Sequence, residues 1–488
     1  MVVGETVQEA ELVVLGAGPG GYTAALRAAQ LGIKTVLIDA KKMPGGVCLH
    51  EGCIPSKALL HAAEVVNTAK AAISFGLKFS QPQIDLLQLR TWKEGVTGKL
   101  AQGIVGMCKS SQVEYLVGKA VFEDSKTLKV ETNEQGSQRL KFKHAIIATG
   151  SRPTRLSKLF KKPSDIESPL ILDSTSALHI ASVPKKFLVV GGGYIGLEMG
   201  TVYAALGSQV TVVEMTDGLL PGVDRDLVKP LANHLQTSFS KILLETTVES
   251  LEIGADGVAC VLKAKDGSQQ KENFDSVLIA VGRQPNSDNI GLENTQVEID
   301  NHGFVKIDQY CRTADKRLFA IGDVSGQPML AHRAMRQGQV VAEVIAGLPS
   351  AFDNRAIPAI VFTEPEIAWC GLTEGEAKAN GVNIATAKFP WSASGRAMTL
   401  ADPVGQTKLI YSPDNMRLLG MGIVGPRAGE LIAEGVLAIE SGAVLEDLAV
   451  TIHPHPTLSE TIAEASMVAI SRAERQRQGQ STKQSSAT

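Results

Sequence analysis

The chain has 488 residues, is 44% hydrophobic, carries a formal net charge of −3 and contains 47 glycines and 6 cysteines. That length is a prior for about three domains, with ample apolar content for several cores. The near-neutral balance, with only short runs such as Lys161-Lys162 and Lys185-Lys186, gives no electrostatic footprint for nucleic acid, and no apolar run reaches the roughly 18 residues of a membrane span.

The stretch from Met1 to Glu11 is acidic and lacks the basic region of a secretory signal, so a cytoplasmic, reducing compartment is expected. In such a compartment an accessible disulfide is catalytic or sensing rather than structural. A short buried strand from Glu11 to Leu15 then leads into Gly16-Ala17-Gly18-Pro19-Gly20-Gly21, a helical run from Tyr22 to Leu31, and a second strand ending in Asp39. Gly16, Gly18 and Gly21 form G-x-G-x-x-G, which lets a pyrophosphate approach a helix N-terminus while the acid accepts bonds from a ribose. The order of strand, glycine turn, helix, strand and acid predicts a dinucleotide-binding unit. The alternative is a glycine-rich turn in another doubly wound sheet.

Gly45-Gly46-Val47-Cys48-Leu49-His50-Glu51-Gly52-Cys53-Ile54-Pro55-Ser56-Lys57 follows. Two cysteines separated by four residues, with no second pair, do not match a structural zinc spacing. In a regular helix five positions rise about 7.5 Å, more than a disulfide spans, so bridging Cys48 to Cys53 requires an irregular backbone, which the glycines permit. The pair reads as a reducible disulfide or as two buried thiols. Cys53 falls near the start of a helix through Ser56-Lys57-Ala58, which favours a thiolate.

Residues 58–120 read as helices with an insertion near Gln81-Pro82-Gln83, followed by strands and a hairpin tip at Asn133-Glu134-Gln135-Gly136. A buried strand then ends in Ala148-Thr149-Gly150. A second copy of the opening pattern begins with Phe187 to Val190, continues through Gly191-Gly192-Gly193-Tyr194-Ile195-Gly196 and a helix, and closes on a strand ending in Glu214. Two such units predict two dinucleotide sites. Glu214 suits a ribose 2′-hydroxyl and, with no arginine beside it, disfavours a 2′-phosphate, so the second site reads as NAD rather than NADP. Val281-Gly282-Arg283 repeats the strand-then-glycine ending, and Leu318 to Asp323 places an acid at a strand's carboxyl end.

From about residue 353 shorter strands and helices without a glycine fingerprint predict an α+β domain. It holds His453-Pro454-His455-Pro456-Thr457-Leu458-Ser459-Glu460. Glu460 is placed to orient His455 as a base; a metal site, which the prolines disfavour, and plain structural histidines are the alternatives. The Arg/Gln/Ser-rich segment from Ser471 to Thr488 reads as disordered.

These ordered motifs, from about Leu12 to Ala473, resemble the flavin-dependent pyridine nucleotide–disulfide oxidoreductases, and within them the branch that oxidises dihydrolipoyl groups. The resemblance implies an α/β fold: two Rossmann-like dinucleotide-binding domains, one for FAD (1–152, completed by 283–352) and one for NAD (153–282). A C-terminal α+β dimerisation domain (353–472) and a disordered tail (473–488) complete the expected division.

It implies a Cys48–Cys53 redox disulfide, with Cys48 meeting substrate and Cys53 against the flavin. His455, held by Glu460, becomes a base that reaches the cysteine pair of the other subunit of a homodimer. FAD is expected along Gly16, Gly18, Gly21, Asp39, Lys57, Ala120, Gly150, Asp323 and Ala331. NAD is expected along Gly191, Gly193, Gly196, Glu214, Val248 and Gly282, with Glu198 grouped on that side and paired with Lys57. No metal is implied. No lipoyl domain precedes Leu12, so the lipoyl group is expected on a partner, a lipoylated acyltransferase or a glycine-cleavage carrier protein. His50, Glu51 and Gln337 depart from the common pattern; the first two place a histidine and a carboxylate beside the thiols.

Overall fold

The computed structural model describes residues 7–132, 136–401 and 403–485. In its first sheet β1 (Val7–Leu15), β2 (Thr35–Asp39), β3 (Glu114–Val117), β4 (Lys119–Asp124), β5 (Thr127–Thr132) and β6 (Gly136–Ile147) run in the order β3-β2-β1-β6-β5-β4. The later strand Leu318–Ala320 lies parallel to β6. β1 is buried on both faces, as a parallel strand should be. Leu12 and Val14 pack with Ala24, Ala25 and Ala28 of α1 (Pro19–Gln30), while Val13 and Leu15 pack with Phe122, Leu128 and Val130 of the antiparallel β4-β5 flank. Thr132 pairs with Gly136 across the expected hairpin, whose tip at 133–135 lies outside the described residues.

The stretch that carries the cysteines forms α2 (Gly46–Glu51) and α3 (Cys53–Ala71), broken at Gly52. A long helix, α4 (Leu86–Ser110), follows. A second parallel sheet orders Lys241–Leu243, Gln209–Val213, Lys186–Val190, Ser276–Ile279 and Ile171–Leu172, with α5 (Tyr194–Leu206) and α6 (Arg225–Ser238) in its crossovers. A three-stranded antiparallel sheet over 246–274 flanks it, as β4-β5 flank the first. The chain then returns through Leu318–Ala320 to α7 (Ala331–Ile345), which lies so close on α1 that a Cβ at Gly338 would stand 2.6 Å from the Gly20 carbonyl oxygen.

The last domain is an antiparallel sheet ordered Ala359–Val361, Ile367–Gly371, Leu418–Val424, Gln406–Tyr411 and Ala385–Pro390. Around it stand α8 (Glu374–Ala379), α9 (Gly395–Thr399), α10 (Ala428–Ser441), α11 (Leu445–Val450) and α12 (Glu460–Ser485). α12 corrects the expectation of a disordered tail. Ile462, Ala463, Ala465 and Ala469 anchor its first turns in the core. Once nucleated, extension over Glu, Arg, Gln and Ala is cheap even without burial. Over 471–478 the polar side chains are mostly exposed, so composition there marks a solvent-facing helix; residues 486–488 of the expected tail lie outside the described residues.

Both glycine turns close on their helices through a glycine that nothing larger can replace. A Cβ at Gly21 would lie 1.8 Å from the Gly16 oxygen, and one at Gly196 2.2 Å from the Gly191 oxygen. Gly21→Ala and Gly196→Ala are each expected to destabilise by about 1–3 kcal/mol through overpacking, read as a lower urea midpoint with an unchanged slope.

Candidate active site

Two clefts meet over α5. The first, about 440 Å³, runs from Gly16, Gly18 and Gly21 and Asp39 past Thr149-Gly150, Asp323 and Ala331 to Cys48, Cys53, Lys57 and Glu198. The second, about 660 Å³, is lined by Gly191, Gly193, Glu214, Val248 and Gly282. Both fall within the size range of cofactor pockets. Tyr194, Ile195, Arg283 and Met329 line both.

The first turn of α1 has no side-chain cap, which leaves its amides for an anion in the cleft. Asp39 accepts from Ala17 N at 2.7 Å and Lys41 N at 2.9 Å. Glu214 is its buried counterpart in the second unit and accepts from Gly192 N at 2.7 Å and from both Thr216 N and its hydroxyl at 2.8 Å.

Gly52 separates two helices so that Cys48 sits in the first turn of the short α2 and Cys53 begins α3. Both are free thiols in hydrogen-bond contact. The hydrogen bond to Cys53, reinforced by burial, drives the Cys48 thiol well above the usual range. The same bond, donated by Cys48, lowers Cys53; burial opposes it and Lys57 assists it. Proton and charge are thereby divided, a neutral thiol at Cys48 and a thiolate at Cys53.

Lys57 Nζ donates to Glu198 Oε2 at 2.8 Å and stands 4.5 Å from the centroid of the Phe362 ring. Glu198, 3% exposed, lines the first cleft and not the second, which corrects its assignment to the nucleotide side. Its second oxygen accepts from Phe362 N at 3.0 Å. Ala120, on β4, does not line the first cleft, and Gly196 serves the helix–strand contact behind the second. The departures near the thiols brace the loop: His50 Nε2 bonds Pro44 O at 2.9 Å, and Glu51 pairs with Lys41. Gln337 Oε1 accepts from Gly322 N at 2.8 Å, fixing the turn that carries Asp323.

His455 and Glu460 lie elsewhere, on the dimerisation domain, and neither lines a cleft. The His455 side chain is 81% exposed, with Nδ1 2.8 Å from Glu460 Oε1. Glu460 is held below the usual carboxyl range, first by the Thr457 amide at 2.7 Å and then by His455. The histidine is thus held in the open, away from both clefts of its own chain.

Sequence reasoning missed a relay between the clefts. Arg283 Nε donates to Ser151 Oγ at 2.7 Å, and that hydroxyl donates to Asp323. Arg283 and Ser151 each fell within a motif, but they lie 132 positions apart and nothing in the sequence linked them. Tyr194, where the clefts meet, is pushed up to about 12 by burial, so its hydroxyl stays protonated.

A family profile described as pyridine nucleotide-disulphide oxidoreductase matches residues 10–338, and its dimerisation-domain profile matches 357–466. The chain is 48% identical over 458 residues to a dihydrolipoyl dehydrogenase of Haemophilus influenzae, covering 94% of each. It is 45% identical to dihydrolipoyl dehydrogenase 2 of Haloarcula marismortui, covering 96% of this chain and 98% of the relative. Among solved structures it resembles LpdA of Mycobacterium tuberculosis (TM-score 0.85, 26% identity, 94% and 99% coverage). It also resembles the HOCl-induced flavoprotein disulfide reductase RclA of Escherichia coli (TM-score 0.82, 26% identity, 94% and 99% coverage).

Because Lys57 helps hold the Cys53 thiolate, Lys57→Met is expected to shift the pH profile of Cys53 alkylation upward. Mass spectrometry of the iodoacetamide-treated, reduced protein then shows slower labelling at neutral pH. An unmoved profile would assign the thiolate to the Cys48 contact and the α3 N-terminus alone.

Proposed function

This chain belongs to the pyridine nucleotide–disulphide oxidoreductases, and we propose that it works as a dihydrolipoyl dehydrogenase. Its substrate is the dihydrolipoyl group of a lipoylated acyltransferase or a glycine-cleavage carrier protein, and its electron acceptor is NAD⁺. The observation that carries this reading is a polarised thiol pair in the first of two dinucleotide-sized clefts that share Tyr194 and Arg283. Relatives that share nearly the whole chain carry that activity in their names.

FAD fits the first cleft. The uncapped amides of α1 suit its pyrophosphate, Asp39 its adenosine ribose and Asp323 its ribityl chain, and a side chain at Gly46 would close the passage, since a Cβ there would stand 2.5 Å from Gly18 Cα. When bound, FAD carries the two electrons from the thiol pair to the nicotinamide. In the second cleft Glu214 favours a free ribose hydroxyl over a 2′-phosphate, which selects NAD⁺ over NADP⁺.

The thiol chemistry follows from the residues. The partner subunit's His455, held by Glu460, takes a proton from one dihydrolipoyl thiol. The resulting thiolate attacks Cys48 Sγ in the oxidised pair, and Cys53 departs as thiolate. The second substrate thiol then attacks the substrate sulfur of the mixed disulfide, closing the lipoyl ring, and its proton passes to the departing Cys48, which is left as the neutral thiol. Attack falls on Cys48 because the better leaving group is the thiol whose anion is stabilised, and Cys53 has Lys57 and a helix N-terminus to stabilise it. The match to a dimerisation domain supports the homodimer that this arrangement needs. We place the enzyme in the cytoplasm, whose reducing poise suits a cycling pair.

His455→Gln is expected to lower dihydrolipoamide-dependent NAD⁺ reduction by about 100- to 10,000-fold, the scale of a lost general base. Mixing His455→Gln and Cys48→Ser subunits should restore part of the activity, because one hybrid site keeps an intact histidine and cysteine pair. Anaerobic NADH titration of the purified yellow protein should reduce it, with brisk dihydrolipoamide turnover. Reduction by NADPH alone, with no response to dihydrolipoamide, would make it a peptide-disulfide reductase.

A further inference from the structure

Asp224, Asp226 and Glu374 bring carboxylate oxygens close enough together to hold a cation. The cation is Lys408. Its Nζ donates to Asp224 Oδ2 at 2.7 Å, to Asp226 Oδ1 at 2.9 Å and to Glu374, and its side chain is 1% exposed. Lys388, its neighbour across the sheet, pairs with Asp226 as well. Two lysines directly opposite on paired strands repel. Here both are tolerated because they converge on the same carboxylates. Burial alone would push Lys408 down, but its bonds to the three carboxylates outweigh that and hold it above the usual lysine range, so it stays charged.

The network joins two domains. Lys408 and Lys388 stand on strands of the dimerisation domain, Glu374 opens α8, and Asp224 and Asp226 flank the first residue of α6 in the second dinucleotide unit. Glu374 N also donates to Asp224 Oδ1 at 3.1 Å, and Gln406 Nε2 to Asp226 O at 3.2 Å. A buried ion-pair network is weak evidence for stability, because desolvation offsets most of the attraction; its better-attested use is to specify one geometry.

What is specified lies between the two aspartates. Arg225 turns back and donates to the carbonyls of Leu219 at 2.8 Å, Leu220 at 2.6 Å and Val223 at 2.5 Å. That loop forms a wall of the second cleft through Leu220, Pro221 and Val223. Leu220, held at φ +50°, donates its amide to Gly192 O at 2.9 Å, inside the second glycine turn.

We propose that Lys408 is a positioning residue for the NAD⁺ site, acting without touching the nucleotide: it clamps Asp224 and Asp226, so that Arg225 holds the 219–223 loop and, through it, the Gly192 turn. The dimerisation domain thereby sets the affinity of the second cleft. This rests on that cleft being the NAD⁺ site.

The test is steady-state kinetics of the FAD-loaded dimer with dihydrolipoamide and NAD⁺, using Lys408→Met, Arg225→Lys and the double variant. Each single change is expected to raise KM for NAD⁺ by about 2- to 30-fold, the usual range for residues that couple through intervening contacts. KM for dihydrolipoamide, and the rate at which dihydrolipoamide reduces the flavin without NAD⁺, should stay at wild-type values. The double variant should be no worse than the poorer single, since the two act in series.

Arg225→Lys keeps the charge and alters only contacts within one loop, so it decides the matter if Lys408→Met does not fold. The proposal is overturned if folded variants lose thermal stability while KM for NAD⁺ holds, or if both KM values rise together. A wild-type protein that reduces no NAD⁺ at all would instead remove the site assignment beneath it.

Discussion

A single buried carboxylate determines how the domains can meet. Glu198 on α5 is almost sealed from solvent and needs both a counter-charge and a hydrogen-bond donor to be ionised there. It takes the charge from Lys57 on α3 of the first unit and the donor from the Phe362 amide of the dimerisation domain. Three domains must assemble before this one group is satisfied. For a fully buried pair, losing one partner costs about 3–5 kcal/mol; here it costs less, because the Lys57 side chain is a third open to the cleft. The surrounding core has the same composition, with Leu59 and Leu60 of α3, Leu197 and Val202 of α5, and Val361, Ile367 and Val424 of the last domain in one cluster. Lys57 is also the cation that favours the Cys53 thiolate, so the contact that registers the domains also polarises the thiols. Assembly and redox chemistry cannot be tuned independently.

What could be read from the sequence follows from how local each feature is. Both glycine turns with their terminal acids, the thiol pair broken at Gly52, and the His455–Glu460 pair lie within short stretches. The glycine turns, the helix start at Cys53 and the helix opened by Glu460 were placed as the structure shows them; the short helix that carries Cys48 was not. Lys57 with Glu198 spans 141 positions, and only the resemblance supplied it. The Arg283–Ser151–Asp323 relay and the Lys408 clasp were missed for the same reason: the Ser151 contacts and those of Lys408 to Asp224 and Asp226 span more than a hundred positions, and no periodicity links them. One other reading failed on physics rather than distance: the polar end of α12 resembles an unstructured tail until its buried first turns are known. Glu51 and His50, beside the thiols, are held by Lys41 and the Pro44 carbonyl, contacts that no motif announces.

The two dinucleotide units share a topology but handle their acids differently. Asp39 ends a buried strand at a half-buried tip and keeps its carboxylate at the cleft, holding two backbone amides. Glu214 is buried and spends three hydrogen bonds on its own turn, Gly192 and Thr216. The second glycine turn is therefore stiffened from beneath by Glu214 and from the side by the Leu220 amide. A cleft that must release a pyridine nucleotide in every cycle is built on a preset wall, which lowers the ordering cost of each binding event.

The dimerisation domain completes both clefts without lining much of either. It gives Glu198 the Phe362 amide and anchors α6 through Lys408, and it carries the histidine proposed as the base for the thiols. His455 is four-fifths exposed, yet prolines on both sides restrict its backbone, and Glu460, itself fixed by the Thr457 amide, holds its ring. An exposed side chain ordinarily gains rotamer freedom, and restraining it costs conformational entropy with no return inside one chain. That restraint makes physical sense if the ring is pre-arranged for a second copy, where the lost freedom is recovered as a correctly aimed base at Cys48. On that reading the dimer is a condition of catalysis.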